Sequence, residues 1–189
     1  MRILISMRDV RIPPNNFLFD CLERSWYDFL SGHTLIPHAN TVTVDESIEF
    51  DCLVLTGGPD SLARNTTENN LFLHAIKRKK PIIGVCHGAF VVNELTGGSN
   101  DIIPELIPAH DNTKHMVEMD GKTIEVNSYH GQVIRKLGST MIPLATHTPD
   151  ATIEAFRHHT LPIFGIVWHP ERMENPVLPQ AVQNILENT

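Results

Sequence analysis

The feature that most constrains this chain is Gly84-Val85-Cys86-His87-Gly88, which ends the apolar run opening at Pro81. Apolar residues then resume at helical spacing with Ala89, Val92 and Leu95. A strand that turns at once into a helix through Gly-x-Cys-x-Gly is a nucleophile elbow. The central residue takes strained backbone angles, and the residues two before and two after it must be small so that neighbouring chain can pass. The turn sets Cys86 at a helix N-terminus, where free N–H groups and the helix dipole favour a thiolate, and aims the N–H of His87 at an oxyanion formed by attack.

Other apolar runs at residues 2–6, 51–56, 141–145, 152–156 and 163–168 are strand-like, and several are followed by helix-like patterns. That alternation predicts an α/β fold. Leu18, Leu22, Trp26 and Phe29 recur at helical spacing and predict one amphipathic helix; Leu71, Ala75 and Ile76 predict a second. Val177, Leu178, Ala181, Val182, Ile185 and Leu186 mark a C-terminal helix. Asp120-Gly121, between two strand-like segments, favours a tight hairpin turn and predicts a small antiparallel insertion. No repeat or Gly/Ser linker divides residues 1–189, so a single domain is expected.

A cysteine thiol titrates at about 8.5 in solution, so acyl chemistry at neutral pH calls for an imidazole and a carboxylate beside it. Trp168-His169-Pro170-Glu171 offers both. Residues i and i+2 at a strand end share a side, which predicts that Glu171 orients His169 as the base. Thr56-Gly57-Gly58-Pro59-Asp60, after a strand, lets backbone N–H groups approach a ligand closely, and Gly58 is assigned as the second oxyanion donor beside His87.

Composition narrows the alternatives. Lys and Arg total 15 against 22 Asp and Glu, a net charge of −7, and the one basic run at Lys77-Arg78-Lys79-Lys80 suits a solvated helix end; a nucleic-acid partner is not expected. No apolar stretch approaches a membrane span and no signal peptide is apparent, so no membrane association and a cytoplasmic location are expected. The three cysteines, Cys21, Cys52 and Cys86, are too irregularly spaced for a disulfide framework. Eleven histidines show neither His-x-x-x-His nor a Cys/His cluster at ligand spacing, so neither a metal nor another cofactor is expected.

Taken in order, Thr56-Gly57-Gly58, Gly84-Val-Cys86-His-Gly88, Asn127-Ser128-Tyr129-His130-Gly131-Gln132, Ile153-Glu154-Ala155-Phe156 and Trp168-His169-Pro170-Glu171 resemble the class I glutamine amidotransferase superfamily. The Asn-Ser-x-His-x-Gln stretch and Gly-Gly-Pro-Asp loop are closer to its stand-alone γ-glutamyl hydrolases. The resemblance implies a flavodoxin-like three-layer αβα sandwich. It implies a triad of Cys86, His169 and Glu171 that forms a γ-glutamyl thioester, an oxyanion hole at Gly58 and His87, and substrate contacts at Gly57, Ser128, Tyr129 and His130. The implied partner is a small γ-glutamyl substrate; the alternative, an ammonia-delivering glutaminase, implies a separate synthetase subunit. A non-catalytic ligand sensor is the third reading. Many members carry Gln four residues after the nucleophile; Phe90 stands here, which counts against free glutamine as the preferred substrate. Arg2-Ile-Leu-Ile-Ser-Met-Arg, Glu23-Arg-Ser-Trp26 and Ile36-Pro-His-Ala-Asn40 are similar to enzymes that split γ-glutamyl-CDP-amidate in bacterial surface-polysaccharide synthesis, which implies a nucleotide amidate as leaving group.

Overall fold

The computed structural model describes residues 1–41 and 43–187. Strand β1 (Arg2–Ser6) leads into a hairpin of β2 (Arg8–Ile12) and β3 (Phe17–Cys21), then helix α1 (Ser25–Phe29) and β4 (Thr34–His38). Two strand–helix units follow, β5 (Cys52–Leu55) with α2 (Leu62–Lys77) and β6 (Ile82–Val85) with α3 (His87–Leu95). Beyond them come β7 (Ser99–Asp101), α4 (Ile107–His110), β8 (Thr113–Met119), β9 (Lys122–Ser128), β10 (Val133–Lys136), β11 (Met141–His147) and β12 (Ile153–His158). The described chain ends with β13 (Ile163–Ile166), a 3₁₀ turn at Pro170–Arg172 and α5 (Gln180–Glu187).

The central sheet runs β4-β1-β5-β6-β13-β12-β11-β8-β9. Its first five strands are mutually parallel. Counted along the chain their order is 2-1-3-4-5, the flavodoxin-like arrangement, whose ligands bind outside the carboxyl ends of the strands. From β12 onward the pairing is antiparallel. Helices flank the sheet as the sequence pattern predicts.

Strand alternation builds both faces. Ile3, Ile5, Cys52, Val54, Ile83 and Val85 point into one core with Trp26 and Leu30, against which Leu178, Ala181 and Ile185 pack. Leu4, Leu53, Leu55 and Ile82 point into the other, covered by Leu71, Phe72 and Ala75 of α2 and by Ala89 and Val92 of α3. These central strands are buried on both sides, so they appear in sequence as continuous apolar runs. Each fully buried Leu or Ile contributes about 1.5–3 kcal/mol of transfer free energy. Ser61 caps α2, its hydroxyl accepting the Arg64 N–H at 3.1 Å.

The helix predicted through Leu18, Leu22, Trp26 and Phe29 is not one element. Phe17–Cys21 is β3, paired in register with β2, and only Ser25–Phe29 is helical. Trp26 enters the core at 3% exposure while Leu18 stays 53% exposed, so the spacing that joined them was coincidental. The Asp120-Gly121 turn is as expected, with φ of 53° and 71° and Met119 facing Lys122 across it. Its strands are not a separate insertion, because β8 pairs with β11 and extends the central sheet. Among the described residues no helix is long and apolar enough to cross a membrane.

Candidate active site

Three carboxyl ends meet above the parallel part of the sheet: β5 delivers Thr56-Gly57-Gly58, β6 delivers Cys86, and β13 leads through Val167 and Trp168 to His169. Cys86 sits at φ 51° and ψ −108° at the start of α3, backbone angles that cost about 1–3 kcal/mol and persist only where the surroundings enforce them. The enforcement is visible. The Cys86 N–H bonds to the Ile166 carbonyl at 2.8 Å and the Gly88 N–H to the Thr56 carbonyl at 3.1 Å. A side chain at Gly84 would overlap the Gly88 carbonyl, and one at Gly88 would overlap the Leu55 carbonyl. Both glycines are therefore sterically required.

His169 Nδ1 lies 2.6 Å from Glu171 Oε1, and the Cys86 side chain is close enough to the imidazole to act on its titration. All three groups are buried. Contrary to the sequence expectation, the i, i+2 pair does not sit on a strand end; His169 is the residue before the 3₁₀ turn, whose tight path brings Glu171 back under the ring. Burial alone would lower the His169 pKa, but the hydrogen bonds and negative charges of Cys86 and Glu171 outweigh it and hold it at about 9. Both partners thus favour the protonated form of the imidazole.

Gly57 lies against this pair: a methyl group on it would overlap His169 Cε1 and approach the Cys86 Cβ to 3.3 Å. The Gly57 carbonyl accepts from the Arg64 guanidinium at 3.3 Å, and the Thr56 carbonyl at 2.6 Å. In a trans peptide N–H and C=O point opposite ways, so the Gly58 N–H is directed away from Arg64. Gly58 itself has φ 137°, a conformation reserved for glycine. The His87 N–H, in the first turn of α3, has no intrahelical acceptor.

Arg64 was not visible as a site residue in the sequence. It is fully buried, with Nε 3.0 Å from Glu68 Oε1, while Ser6 Oγ donates to the same oxygen at 2.7 Å. Glu68 Oε2 is 3.0 Å from His87 Nε2, and His87 Nδ1 is 3.1 Å from Asp60 Oδ1. This network ties the glycine loop to the start of α3. Its only advance signal was a basic and an acidic residue four apart on a predicted helix. Asn127 is a second residue missed: its side chain bonds the His169 backbone twice.

The segment after β9 is divided. Tyr129 is 41% exposed, its ring 5.7 Å from that of His169 with the Arg172 guanidinium 5.3 Å above it. Ser128 and His130 face inward instead. Ser128 Oγ donates to the His110 carbonyl, and His130 Nδ1 donates to the Gln132 carbonyl at 2.7 Å. Ser128 Oγ and His130 Nδ1 are thus spent on backbone carbonyls. Phe90 packs edge-on to His130 at 5.9 Å and lines a cavity of about 280 Å³ with Asp60, His87 and Gln132. A cleft of about 450 Å³ opens on the other side, between Tyr129, Lys114 and Arg172.

Residues 24–188 match the glutamine amidotransferase class-I family. The chain belongs to that family. Among relatives, it is 28% identical over 170 residues to the γ-glutamyl-CDP-amidate hydrolase of Campylobacter jejuni, covering 81% of each chain. It is 31% identical over 150 residues to a glutamine-hydrolysing GMP synthase subunit of Methanothermobacter thermautotrophicus, covering 72% of this chain and 74% of that one. A glutamine amidotransferase structure from Thermotoga maritima superposes with a TM-score of 0.69 at 16% identity, covering 99% of this chain and 81% of that one. The class I amidotransferase fold is thereby shared across relatives that differ in reaction.

Proposed function

We propose that this amidotransferase-family chain is a cysteine hydrolase that cleaves a γ-glutamyl amide through a γ-glutamyl thioester. The observation that carries the reading is the buried chain of contacts from Cys86 through His169 to Glu171 on a strained elbow. Cys86 Sγ attacks the γ-carbonyl, and the developing oxyanion lies against the N–H groups of Gly58 and His87. His169, protonated and held by Glu171, gives its Nε2 proton to the departing nitrogen as the C–N bond breaks. Water then enters, loses a proton to His169 and attacks the thioester, releasing glutamate and restoring the sulfur. Gly57 and Tyr129 bound the substrate beside this centre, and the backbone at Ser128 and His130 completes that wall.

The leaving group is proposed to be larger than ammonia. The cleft beside Tyr129 gives room for a conjugate, Phe90 removes a polar contact expected of glutamine users, and the similarity to a γ-glutamyl-CDP-amidate hydrolase points the same way. Glutamate release should be measured from free glutamine, γ-glutamyl amines and a γ-glutamyl nucleotide amidate, with Cys86→Ala as blank. A conjugate turned over at least tenfold faster than glutamine supports the reading; no release from any conjugate by the isolated chain overturns it. The likeness to a GMP synthase subunit favours a second reading, a glutaminase that hands ammonia to a synthetase partner. That reading expects glutamine to be the preferred substrate and its hydrolysis to rise when the partner is added.

A further inference from the structure

N–H groups stabilise an oxyanion best when their directions are set before the charge forms. Adjacent glycines cannot set their own, because their backbone is the least restricted of any residue. The loop Thr56-Gly57-Gly58-Pro59-Asp60 therefore has to be held from outside.

Arg64, in the first turns of α2, lies where it can do so. Its Nη2 donates to the Thr56 carbonyl at 2.6 Å and to the Gly57 carbonyl at 3.3 Å, and its Nη1 donates to the Pro59 carbonyl at 3.3 Å. One planar cation thus turns the carbonyls of Thr56, Gly57 and Pro59 toward itself. Across these trans peptides the N–H groups of Gly57, Gly58 and Asp60 turn the other way. The two glycines also face opposite neighbours. A methyl on Gly57 would meet His169 and Cys86, whereas one on Gly58 would meet Arg64 Nη1 at 2.6 Å.

The guanidinium is itself anchored. Its Nε lies 3.0 Å from Glu68 Oε1, which also accepts from Ser6 Oγ at 2.7 Å. Ser6 Oγ in turn accepts the Thr56 N–H at 2.9 Å, so the contacts run in a closed circuit from Arg64 through Glu68 and Ser6 back to the loop. The remaining oxygen of Glu68 is 3.0 Å from His87 Nε2. The residues that carry the two oxyanion donors, Gly58 and His87, therefore share one mount.

Both side chains of the mount are fully buried. An ion pair withdrawn from water is no better for stability than a well-packed apolar pair of the same volume. What an apolar pair cannot do is grip several carbonyls at once, and a lysine, with a single nitrogen, cannot copy the planar fork.

We propose that Arg64, locked by Glu68, is the positioning residue of the oxyanion hole. It touches neither the sulfur nor the substrate and acts by aiming the Gly58 N–H. The proposal rests on the cysteine-hydrolase reading for the existence of that hole, but its test needs no γ-glutamyl compound.

Two probes separate the hole from the nucleophile. In acylation by p-nitrophenyl acetate, Cys86 Sγ attacks the carbonyl carbon, a tetrahedral oxyanion forms, and p-nitrophenolate leaves as its C–O bond breaks. In alkylation by iodoacetamide, an S–C bond forms at the methylene as iodide departs, and no oxyanion arises. Both adducts are followed on the peptide that carries Cys86 by mass spectrometry of acid-quenched samples. Arg64→Lys should slow acylation by about 10²-fold and leave alkylation within about threefold of wild type. Glu68→Gln should show the same selective loss at smaller size. Equal slowing of both reactions would mean that the elbow as a whole had shifted, and overturns the proposal. So does unchanged acylation in folded Arg64→Lys, or wild-type protein that is alkylated but never acylated at Cys86. Failure of both variants to fold would assign the pair to stability and overturns it too. Wild-type protein that shows the selective loss in its variants but splits no γ-glutamyl conjugate would keep this role for Arg64 and remove the substrate reading alone.

Discussion

The side-chain amide of Asn127 clasps the backbone of His169 from both directions, donating Nδ2–H to its carbonyl and accepting its N–H at Oδ1, each at 2.8 Å. His169 is thus held by Glu171 at Nδ1 and by Asn127 at the main chain.

Asn127→Ala removes both bonds and leaves two buried backbone groups unpaired. Urea denaturation should show a loss of about 1–3 kcal/mol. A small displacement of His169 should lower kcat by about 10²-fold with a smaller change in KM. Unchanged kcat in a folded variant would mean that His169 is positioned by other contacts.

Gly57→Ala should be far more damaging than Gly131→Ala. The first adds a methyl that overlaps His169 Cε1; the second adds one with nothing within 4 Å. Steady-state kinetics should give a loss of about 10²-fold in kcat for Gly57→Ala and near wild-type values for Gly131→Ala.

His169 should titrate at about 9, above its ordinary 6.5, in NMR of ring-labelled protein. A raised histidine pKa contributes stability that is full below 6.5 and is lost as pH rises through about 9. Hydrolysis should decline over the same alkaline limb as the proton donor is lost, with an apparent pKa that belongs to the Cys86–His169 pair. Cys86→Ala deletes one hydrogen bond and one negative charge, so the His169 pKa should fall. A value near 6.5 in both proteins would contradict the coupling.

Glu68 is buried, yet its pKa lies below the ordinary 4.5: burial raises it, but the hydrogen bond and charge of His87, the Arg64 guanidinium and the Ser6 hydroxyl outweigh that. Its stabilising effect is present above 4.5 and is lost as pH falls through the lowered value. Glu68→Gln should therefore cost about 3 kcal/mol at neutral pH, and the gap to wild type should narrow in acid. Denaturant midpoints across that range check both statements.

What the sequence disclosed follows from how local each constraint is. The elbow was legible because Gly84 and Gly88 are forced by contacts within one strand–turn–helix unit and with β5 next to it. The β1 run at Arg2–Ser6 was legible because parallel strands buried on both faces leave unbroken apolar stretches. The β2–β3 hairpin was not, since Phe17, Leu18 and Phe19 are 62%, 53% and 45% exposed and their spacing reports no core face. Arg64 and Asn127 stayed hidden for another reason. Their partners lie on other elements: Asn127 is 42 residues from His169.

The most direct test of the central claim is intact-protein and peptide mass spectrometry of enzyme quenched by acid during turnover of a γ-glutamyl conjugate. The account predicts an adduct with the mass of one glutamyl group on the peptide that carries Cys86, absent from Cys86→Ala together with glutamate release. Glutamate release that continues undiminished in that variant, or an adduct on another residue, would contradict it.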